Sequence, residues 1–551
     1  MPVKPPLKVV LCWHMHQPVY WDLRTGEYQL PWVYLHGIKD YVDMAAYLEA
    51  VPAARAVINF VPTLLEQIDD YVQQIQDYFE HATALRDPLL AALVTDEVEI
   101  DLLTQCMRAN RQRLIERFEP YHALVKIGEW AQKNPETQAY ANQQYYTDLV
   151  MWYHLAWLGE TVRRQDARVQ TLMEKARHFD HADRQQLLQI IGELLSSIIP
   201  RYQALTKTGQ VELSFTPYAH PILPLLLDLQ VARETQPNLA LPEHADYPDG
   251  EARARWHIQR GIEIFEQYFG FKPQGCWASE GGVSTETVRL LNEFGLRWVA
   301  SGENVLRNSL QRLGQDSKST HQPFHLPQQS TRCFFRSDHL SDLIGFQFAK
   351  WHADDAVNHL IAQLETLARS DAKVVSIILD GENAWEYYPE NAYYFLSTLY
   401  ARLAENPHVC LSTFSECSEL PATELANIVA GSWVYGTFST WIGDKDKNRG
   451  WDMLIEAKQV YDKNIHQLSS AQQQRATRQL AICEGSDWFW WFGDYNPADS
   501  VRDFDQLYRL HLANLYHELQ QPIPENLAHA LSAGSDNAAS VGTMRKSHED
   551  K

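Results

Sequence analysis

Seven apolar stretches of the chain have the pattern of buried β-strands, and each ends in polar or aromatic residues. Each is short and nearly continuous in apolar residues, as is typical of strands covered on both faces. In chain order they are LKVVLCWHMHQ, ARAVINFVP, VELSFTPYAH, QGCWASEG, LRWVASG, CFFRSDHLSD and VVSIILDGENAW. Helical patterns such as LHGIKDYVDMAAYLEA and STETVRLLNEFG lie between most of them. The alternation predicts parallel βα units in a closed or nearly closed sheet, with functional groups at the carboxyl ends of the strands.

The alternation of strands and helices is interrupted within the first 405 residues and ends after residue 405. Residues 63–208 carry Gln, Leu, Glu and Arg at helical spacing, which predicts a helical insertion between the second and third strands of a barrel domain spanning residues 1–405. Residues 406–520 are predicted to form a C-terminal helical domain that contributes to the functional cleft. From residue 521 a bias towards Ser, Gly and Ala predicts a disordered tail up to residue 551.

Composition and charge exclude several classes of function. The net charge of −22 disfavours binding to nucleic acid or to an anionic membrane surface, because both are polyanions. No apolar stretch approaches the roughly 20 residues of a membrane helix, and the first residues lack a signal-peptide cleavage pattern. Seven scattered cysteines without a CxxC pair indicate reduced thiols. We therefore expect a soluble, cytoplasmic protein.

Aromatic residues and carboxylates occur together in several segments. The chain contains 17 Trp, and flat rings beside acids suit carbohydrate, although a large protein also buries Trp as core. The fourth strand ends with Glu280 beside Trp277, and the seventh ends with Asp380. Two carboxylates delivered to one rim by different strands are what cleavage of a glycosidic bond requires. Sequence spacing does not give their separation, so retention and inversion both remain open at this point.

Five motif regions occur in order along the chain and make it resemble glycoside hydrolase family 57. They are HMHQP (14–18), GQVELSFTPYAHPILPLL (209–226), GCWASEGGVS (275–284), ILDGENAWE (378–386) and TWIGDKDKNRGW (440–451). The resemblance extends to about residue 520. It implies an α/β fold, an incomplete (β/α)7 barrel with a helical insertion and a C-terminal helical bundle. It also implies a retaining mechanism with Glu280 as the nucleophile and Asp380 as the general acid/base.

The histidines of the first two motif regions are candidate substrate contacts. His14 and His16 share one side of the first strand because alternate strand residues face the same way. By the resemblance, this stretch lines the sugar subsite next to the cleaved bond; the alternative is a buried, satisfied histidine. Glu212 and His220 belong to the second region and are expected either to contact substrate or to organise the rim.

Charged and aromatic residues elsewhere complete the predicted substrate-binding set. Arg336 and Asp338 follow the sixth strand, where they would orient or charge-balance the catalytic pair or form a buried structural ion pair. The remaining predicted contacts, for whose Trp residues core packing is the alternative, are Trp277, Trp385, Trp441, Asp487, Trp488 and Trp490.

The predicted function is retaining hydrolysis of α-1,4-glucans, with α-1,6 linkages as a further option and without metal or cofactor. The alternative is a 4-α-glucanotransferase or branching enzyme with the same catalytic pair, since loops and acceptor subsites select water or sugar as acceptor. A zinc-dependent α-mannosidase or deacetylase is a rival because a His-x-His pair can ligate zinc, although Gln17 and Pro18 follow where such sites need an Asp. A non-catalytic glycan-binding protein is the last alternative.

Overall fold

A computed structural model describes residues 4–97, 100–244, 246–315, 319–535 and 544–546. All seven predicted strands are present and occur in the predicted order. They are β1 (Leu7–Met15), β2 (Ala56–Phe60), β3 (Val211–Phe215), β4 (Gly275–Trp277), β5 (Trp298–Ser301), β6 (Arg332–Phe335) and β7 (Val374–Asp380).

The strands form one parallel sheet in the order β6-β5-β4-β3-β2-β1-β7. In the described part of the chain, a single bridge between Arg336 and Ser376 connects β6 to β7, so the barrel is barely closed there. The short strands Phe324–His325, Val409–Leu411 and Thr423–Glu424 extend the sheet, and Val409–Leu411 pairs with β1. This architecture confirms the predicted incomplete seven-stranded barrel.

The central strands are buried on both faces, which explains their continuous apolar sequences. Every residue of β2 is buried, and in β1 only Lys8 is partly exposed. The register places His14, near the end of β1, opposite Asp380 at the end of β7. The carboxyl end of the sheet therefore brings together side chains that are more than 360 residues apart in sequence.

Helices surround the barrel and connect its strands. Ser284 caps one of them, because its side chain accepts a hydrogen bond from the backbone N–H of Thr287. The helices of this layer are Trp32–His36, Val42–Glu49, Leu223–Leu227, Gly250–Phe269, Thr285–Glu293, Glu303–Arg312, Asp338–Asp342, Ala353–Arg369, Tyr393–Glu405 and Phe414–Cys417.

The segment between β2 and β3 is helical, as the sequence predicts. Its longest helix has 27 residues and begins with a reciprocal capping box between Asp180 and Asp183. The helices of the insertion are Pro62–His81, Pro88–Ala91, Leu102–Gln105, Glu119–Lys133, Gln143–Trp157, Glu160–Gln165, Ala167–Lys175 and His181–Lys207.

The C-terminal helical region begins later than predicted. Residues 406–444 still accompany the barrel, since Val409–Leu411 is a strand of its sheet. The helices that follow are Lys445–Asn464, Ser470–Cys483, Asp487–Trp491 and Ala498–Glu518. Together they form the helical region expected at this end of the chain.

The prediction of a disordered tail from residue 521 is wrong for residues 521–535. Leu527 and Leu531 are buried, and the backbone N–H of Leu531 donates to Asp505 at 2.7 Å. The apolar side chains dock this stretch on the preceding helix, which offsets the cost of ordering it. Residues 536–543 and 547–551 of the predicted tail lie outside the described residues.

Two further expectations concern membranes and disulfides. None of the helices in the described ranges combines the length and hydropathy that crossing a bilayer requires. All seven cysteines are unpaired, and six of them are buried.

Candidate active site

A cleft with a volume of about 260 Å³ lies at the carboxyl ends of the barrel strands. β1 contributes His14 and the following His16, the turn after β4 contributes Glu280, and β7 contributes Asp380. The C-terminal helical region contributes Asp487. The cleft therefore lies between the barrel and the C-terminal helices.

Glu280 projects into this cleft from a strained turn. Its φ of 57° and ψ of 22° place a non-glycine residue in the left-handed region, which costs about 1–3 kcal/mol unless the surroundings fix it. The Trp433 backbone N–H donates to the Glu280 carbonyl at 3.0 Å, and Ser301 Oγ donates to the Gly281 carbonyl at 2.5 Å. A Cβ at position 281 would lie 2.9 Å from the Trp277 ring, so the turn needs glycine there.

Two donors from outside the strands hold the carboxylate of Glu280. Ser486 Oγ donates to Oε1 at 2.9 Å, and Trp433 Nε1 donates to Oε2 at 3.2 Å. Burial and the nearby charge of Asp487 raise the pKa of Glu280 to about 8, and the charge of Asp380 adds to this effect. The hydrogen bonds act in the opposite direction because they favour the ionised form. Glu280 is thus electrostatically linked to the other acids of the cleft.

Asp380 and Glu382 line the cleft together with Glu280. Asn383 Nδ2 donates to Asp380 Oδ2 at 2.9 Å, and burial raises the pKa of Asp380. Glu382 Oε1 accepts from the backbone N–H of His16 at 3.3 Å and from Gln17 Nε2 at 3.2 Å. Burial, followed by the charge of Asp380, raises the pKa of Glu382 well above its usual value. Burial therefore favours the protonated forms of both acids.

A chain of hydrogen bonds connects the barrel interior to Glu280. His14 Nδ1 lies 2.6 Å from Asn59 Oδ1, and His14 Nε2 lies 3.1 Å from His220 Nε2. His220 Nδ1 lies 2.8 Å from Ser486 Oγ, which also contacts Glu280. Burial, with the neighbouring histidines, lowers the pKa of His14 to about 3 and that of His220 well below its usual value. Both imidazoles are therefore neutral.

The placement of protons along this series of hydrogen bonds links Ser486 to the ionisation of Glu280. The Asn59 carbonyl oxygen accepts from His14, so the second nitrogen of His14 accepts from His220. The remaining nitrogen of His220 then accepts from the Ser486 hydroxyl. Ser486 has one proton, and ionised Glu280 also requires it. The hydroxyl therefore donates to His220 when Glu280 is protonated and to Glu280 when it is ionised.

His16, His220 and Asp487 form the one group within the described residues whose donor atoms could hold a metal ion, lying within 4.8 Å of one another. Their orientation suits hydrogen bonding better. His16 Nε2 lies 2.7 Å from Asp487 Oδ1, and the His16 and His220 rings stack with centroids 3.9 Å apart at 18°. Nitrogen lone pairs lie in the ring plane, so stacked rings direct them along parallel planes and not towards one ion.

Of the predicted site residues, eight line the cleft, and two of these are rings that are less open than expected. Because Trp277 is 0% exposed and Trp490 is 9% exposed, the two rings are packed into the lining of the cleft and offer no open face for a sugar to stack on. The guanidinium of Arg545 lies 4.7 Å from the centre of the Trp490 ring. The eight residues are His14, His16, His220, Trp277, Glu280, Asp380, Asp487 and Trp490.

The prediction that Glu212 contacts substrate or organises the rim is wrong. Glu212 is the second residue of β3, at the amino end of the barrel and away from the cleft. Its carboxylate accepts from Trp298 Nε1 at 2.7 Å and from the Ser415 backbone N–H at 2.9 Å. It therefore fixes the packing at the opposite end of the sheet.

Three predicted tryptophan platforms are core residues instead. Trp385, Trp441 and Trp488 are fully buried and do not line the cleft. Trp385 Nε1 donates to the Gly381 carbonyl and Trp488 Nε1 to the Ile482 carbonyl, both at 2.8 Å. The Trp441 ring packs behind Trp490 with centroids 5.8 Å apart. For these three, the core-packing alternative is correct.

Arg336 and Asp338 form a buried ion pair beside the cleft. Arg336 Nη1 lies 2.9 Å from Asp338 Oδ1, and Arg336 Nε donates to the Ile378 carbonyl at 2.8 Å. Burial raises the pKa of Asp338 to about 6, against the effect of the guanidinium. Asp338 does not line the cleft, whereas Arg336 borders a smaller pocket together with Asp380. For Asp338, the geometry supports the alternative that it forms a buried structural ion pair.

Several cleft residues were not predicted from the sequence. Glu382 and Trp433 line the cleft, and Ser486 contacts Glu280 from the segment that precedes Asp487–Trp491. At the rim, Arg108 of the insertion lies 2.5 Å from Asp503 of the C-terminal region. Glu382 was recognisable as an acid after a strand, whereas a lone Ser or Arg in a helical segment gives no such signal.

Comparison with known proteins agrees with this geometry. Residues 10–429 match the model of glycosyl hydrolase family 57, whereas a search of curated proteins finds no significant match.

Solved structures of similar fold include a family 57 branching enzyme from Thermococcus kodakaraensis, with 16% identity and a TM-score of 0.55 over 93% of this chain and 90% of that one. The α-amylase AmyC from Thermotoga maritima has 13% identity and a TM-score of 0.56 over 95% of each chain. A branching enzyme from Pyrococcus horikoshii has 14% identity and a TM-score of 0.56 over 99% of each chain. At 13–16% sequence identity, the similarity to these structures is evidence for the fold alone. The family match covers well over half of the sequence, and the chain belongs to glycosyl hydrolase family 57.

Proposed function

We propose that the protein is a retaining glycoside hydrolase of α-1,4-glucans, with Glu280 as nucleophile and Asp380 as general acid/base. The observation that carries the proposal is that both carboxyl groups face one cleft and that the charge of Asp380 reaches Glu280. The structural relatives named as α-amylase and branching enzyme support an α-glucan as substrate. The unpaired cysteines support a reducing, cytoplasmic location.

In the first step, a Glu280 carboxylate oxygen attacks the anomeric carbon of the sugar while the bond to the glycosidic oxygen breaks. Asp380 transfers its proton to that oxygen, so the leaving chain departs as a neutral alcohol. The product of this step is a glycosyl ester of Glu280. Ser486 and Trp433 each hold one oxygen of Glu280 and fix its orientation for attack.

In the second step, Asp380 takes a proton from the incoming acceptor, whose oxygen attacks the anomeric carbon and releases Glu280. Two inversions give net retention. Water as acceptor gives hydrolysis, whereas a sugar hydroxyl gives the alternative activities of a 4-α-glucanotransferase or branching enzyme. The same two acids serve all three reactions.

The raised pKa of Asp380 suits its role as the acid, whereas the raised pKa of Glu280 sets a lower pH limit on its role as the nucleophile. The acid step needs a proton near neutral pH, and burial favours a protonated Asp380. The nucleophile acts as an anion, so activity of the free enzyme should fall as pH falls through the pKa of Glu280, which is about 8. On activated substrates whose leaving group needs no proton from Asp380, we therefore expect kcat/KM to rise from neutral to mildly alkaline pH.

The test is incubation with maltoheptaose and with amylopectin, before and after EDTA treatment, followed by chromatography of the products. Shorter chains alone indicate a hydrolase, longer and shorter chains together a glucanotransferase, and new α-1,6 branches a branching enzyme. The Glu280→Gln variant serves as the inactive control. Loss of activity on chelation that zinc restores would overturn the proposal and favour the metal-dependent rival.

A further inference from the structure

A further pocket, with a volume of about 320 Å³, lies between the helices Ala353–Arg369 and Tyr393–Glu405. None of its described lining residues also lines the catalytic cleft. Its floor consists of buried aromatic rings: Phe395 lies 5.2 Å from Tyr388 and 6.0 Å from Phe348 between ring centroids. The pocket is therefore a preformed concave surface with an aromatic base.

Two exposed aromatic side chains border this pocket. Trp351 is 42% exposed and Tyr394 is 50% exposed, although large aromatic rings are usually more buried. Arg164 fixes Tyr394, because its guanidinium lies 5.3 Å from the ring and donates to the hydroxyl at 3.2 Å. A ring held in place while exposed to water is suited to stacking against a ligand, which recovers the apolar contact.

Polar groups at the rim indicate the class of ligand. His352, Asp354, Glu390 and Thr398 line the pocket together with the aromatic rings. Arg402 pairs with Asp354 at 2.7 Å, and this carboxylate and that of Glu390 can accept further hydrogen bonds from hydroxyl groups. The apolar rings offer no partner to a strongly hydrated ion. Aromatic faces surrounded by hydrogen-bond acceptors fit a neutral, polyhydroxylated chain.

The pocket is lined by the starts of two helices that follow barrel strands. The helix Ala353–Arg369 follows β6 and the helix Tyr393–Glu405 follows β7, so each begins near the carboxyl ends of the strands. The pocket is lined by residues at the starts of both helices. This topology places the pocket towards the end of the barrel that carries the cleft, as a site for a long polymer would require.

We propose that the pocket bordered by Trp351 and Tyr394 is a second binding site for α-glucan, which holds polymeric substrate outside the catalytic cleft. The inference rests on the proposed function, because it takes the substrate class from there. It predicts that the pocket contributes to binding of long chains and not to binding of short ones, since a short oligosaccharide in the cleft does not extend to it.

The test compares the double variant Trp351→Ala/Tyr394→Ala with Trp130→Ala, which removes a 57% exposed ring from the insertion helix Glu119–Lys133. Native gels containing amylopectin measure binding, and initial rates give KM for amylopectin and for maltoheptaose. We expect about tenfold weaker binding and a higher KM for amylopectin in the double variant only, from the loss of two stacking rings. KM for maltoheptaose should stay within about twofold, because the cleft is intact.

The outcomes separate this inference from the proposed function. Wild-type activity on both glucans with unchanged amylopectin binding in the double variant overturns the second site alone. A wild-type protein that neither binds nor cleaves either glucan overturns the proposed function and the second site together. Trp351→Phe keeps a ring and should retain binding, and thermal melts show whether the double variant is folded. Loss of binding in Trp130→Ala as well would show a nonspecific effect and reject the site.

Discussion

Replacing Ser486 by Ala should raise the pKa of Glu280 without moving the backbone. The change removes the Oγ atom that lies 2.9 Å from Glu280 Oε1 and 2.8 Å from His220 Nδ1. The backbone N–H of Ser486 still donates to the His220 carbonyl at 3.0 Å, so the segment stays docked. Because the lost hydrogen bond favours the ionised form of Glu280, its carboxyl group becomes harder to deprotonate.

The size of the effect follows from the strength of such a bond. A hydrogen bond to a charged group contributes about 1.5–3 kcal/mol, and one pH unit corresponds to about 1.4 kcal/mol. Ionisation of Glu280 also takes the Ser486 proton away from His220, so this bond strength is an upper limit. From a pKa of about 8 in the wild type, the acid limb of kcat/KM should therefore move up by at most about one to two pH units. At pH 7 the variant should lose up to about 10- to 100-fold in kcat/KM, and it should recover towards pH 10.

The assay is a pH profile of kcat/KM from pH 6 to 10 on a nitrophenyl α-glycoside, whose leaving group needs no proton from Asp380. Ser279→Ala is the matched control, since its buried hydroxyl adjoins Glu280 in sequence and has no partner among the described residues. Ser486→Thr keeps the hydroxyl and should restore the profile. An equal loss at every pH, or a shift of the limb to lower pH, would refute the reasoning.

Three further predictions test other parts of the structure. Asp487→Asn removes a negative charge that raises the pKa of Glu280, so the same acid limb should move to lower pH; an upward shift contradicts this. With azide and an activated α-glycoside, Asp380→Ala should yield the α-glycosyl azide and Glu280→Ala the β product, and identical products would disprove the assigned roles. Glu484→Gln should lower the free energy of unfolding by about 3–5 kcal/mol, because buried Arg253 loses its partner at 2.7 Å. Burial opposes ionisation of Glu484, but the charge of Arg253 outweighs burial and holds the pKa of Glu484 well below its usual range. In urea unfolding, the wild type should therefore show this stabilisation above about pH 4.5 and lose it in acid.

The barrel could be predicted because burial on both faces leaves a strong sequence pattern. Each of the seven strands is a short, nearly continuous apolar run, and all seven are present in the structure. The boundary of the C-terminal region was placed too early, because the short strand Val409–Leu411 lies beyond it and still pairs with β1 of the barrel sheet. Glu212 was misplaced although its position near the start of an apolar run indicates the amino end of a strand.

The cleft was harder to predict because its contacts join distant parts of the chain. Ser486 lies 206 residues from Glu280 in sequence, and nothing in the local pattern indicates their contact. Aromatic residues near acids gave an ambiguous signal. Trp385 and Trp488 proved to be core residues, whereas Trp433, which was not singled out, donates to Glu280. The sequence pattern indicates which segments form buried strands, but it does not indicate which aromatic ring faces the cleft.

The position of Ser486 late in the sequence has a consequence for biosynthesis. Domains fold largely as units during translation, starting from the amino-terminal part of the chain. A ribosome-bound chain that has released residues only up to about Glu405 contains all seven barrel strands, with Glu280 and Asp380 in place. It lacks Trp433 and Ser486, the two side chains that donate to Glu280. The hydrogen-bonded site around Glu280 is therefore complete only after the C-terminal helical region has been synthesised and has docked on the barrel.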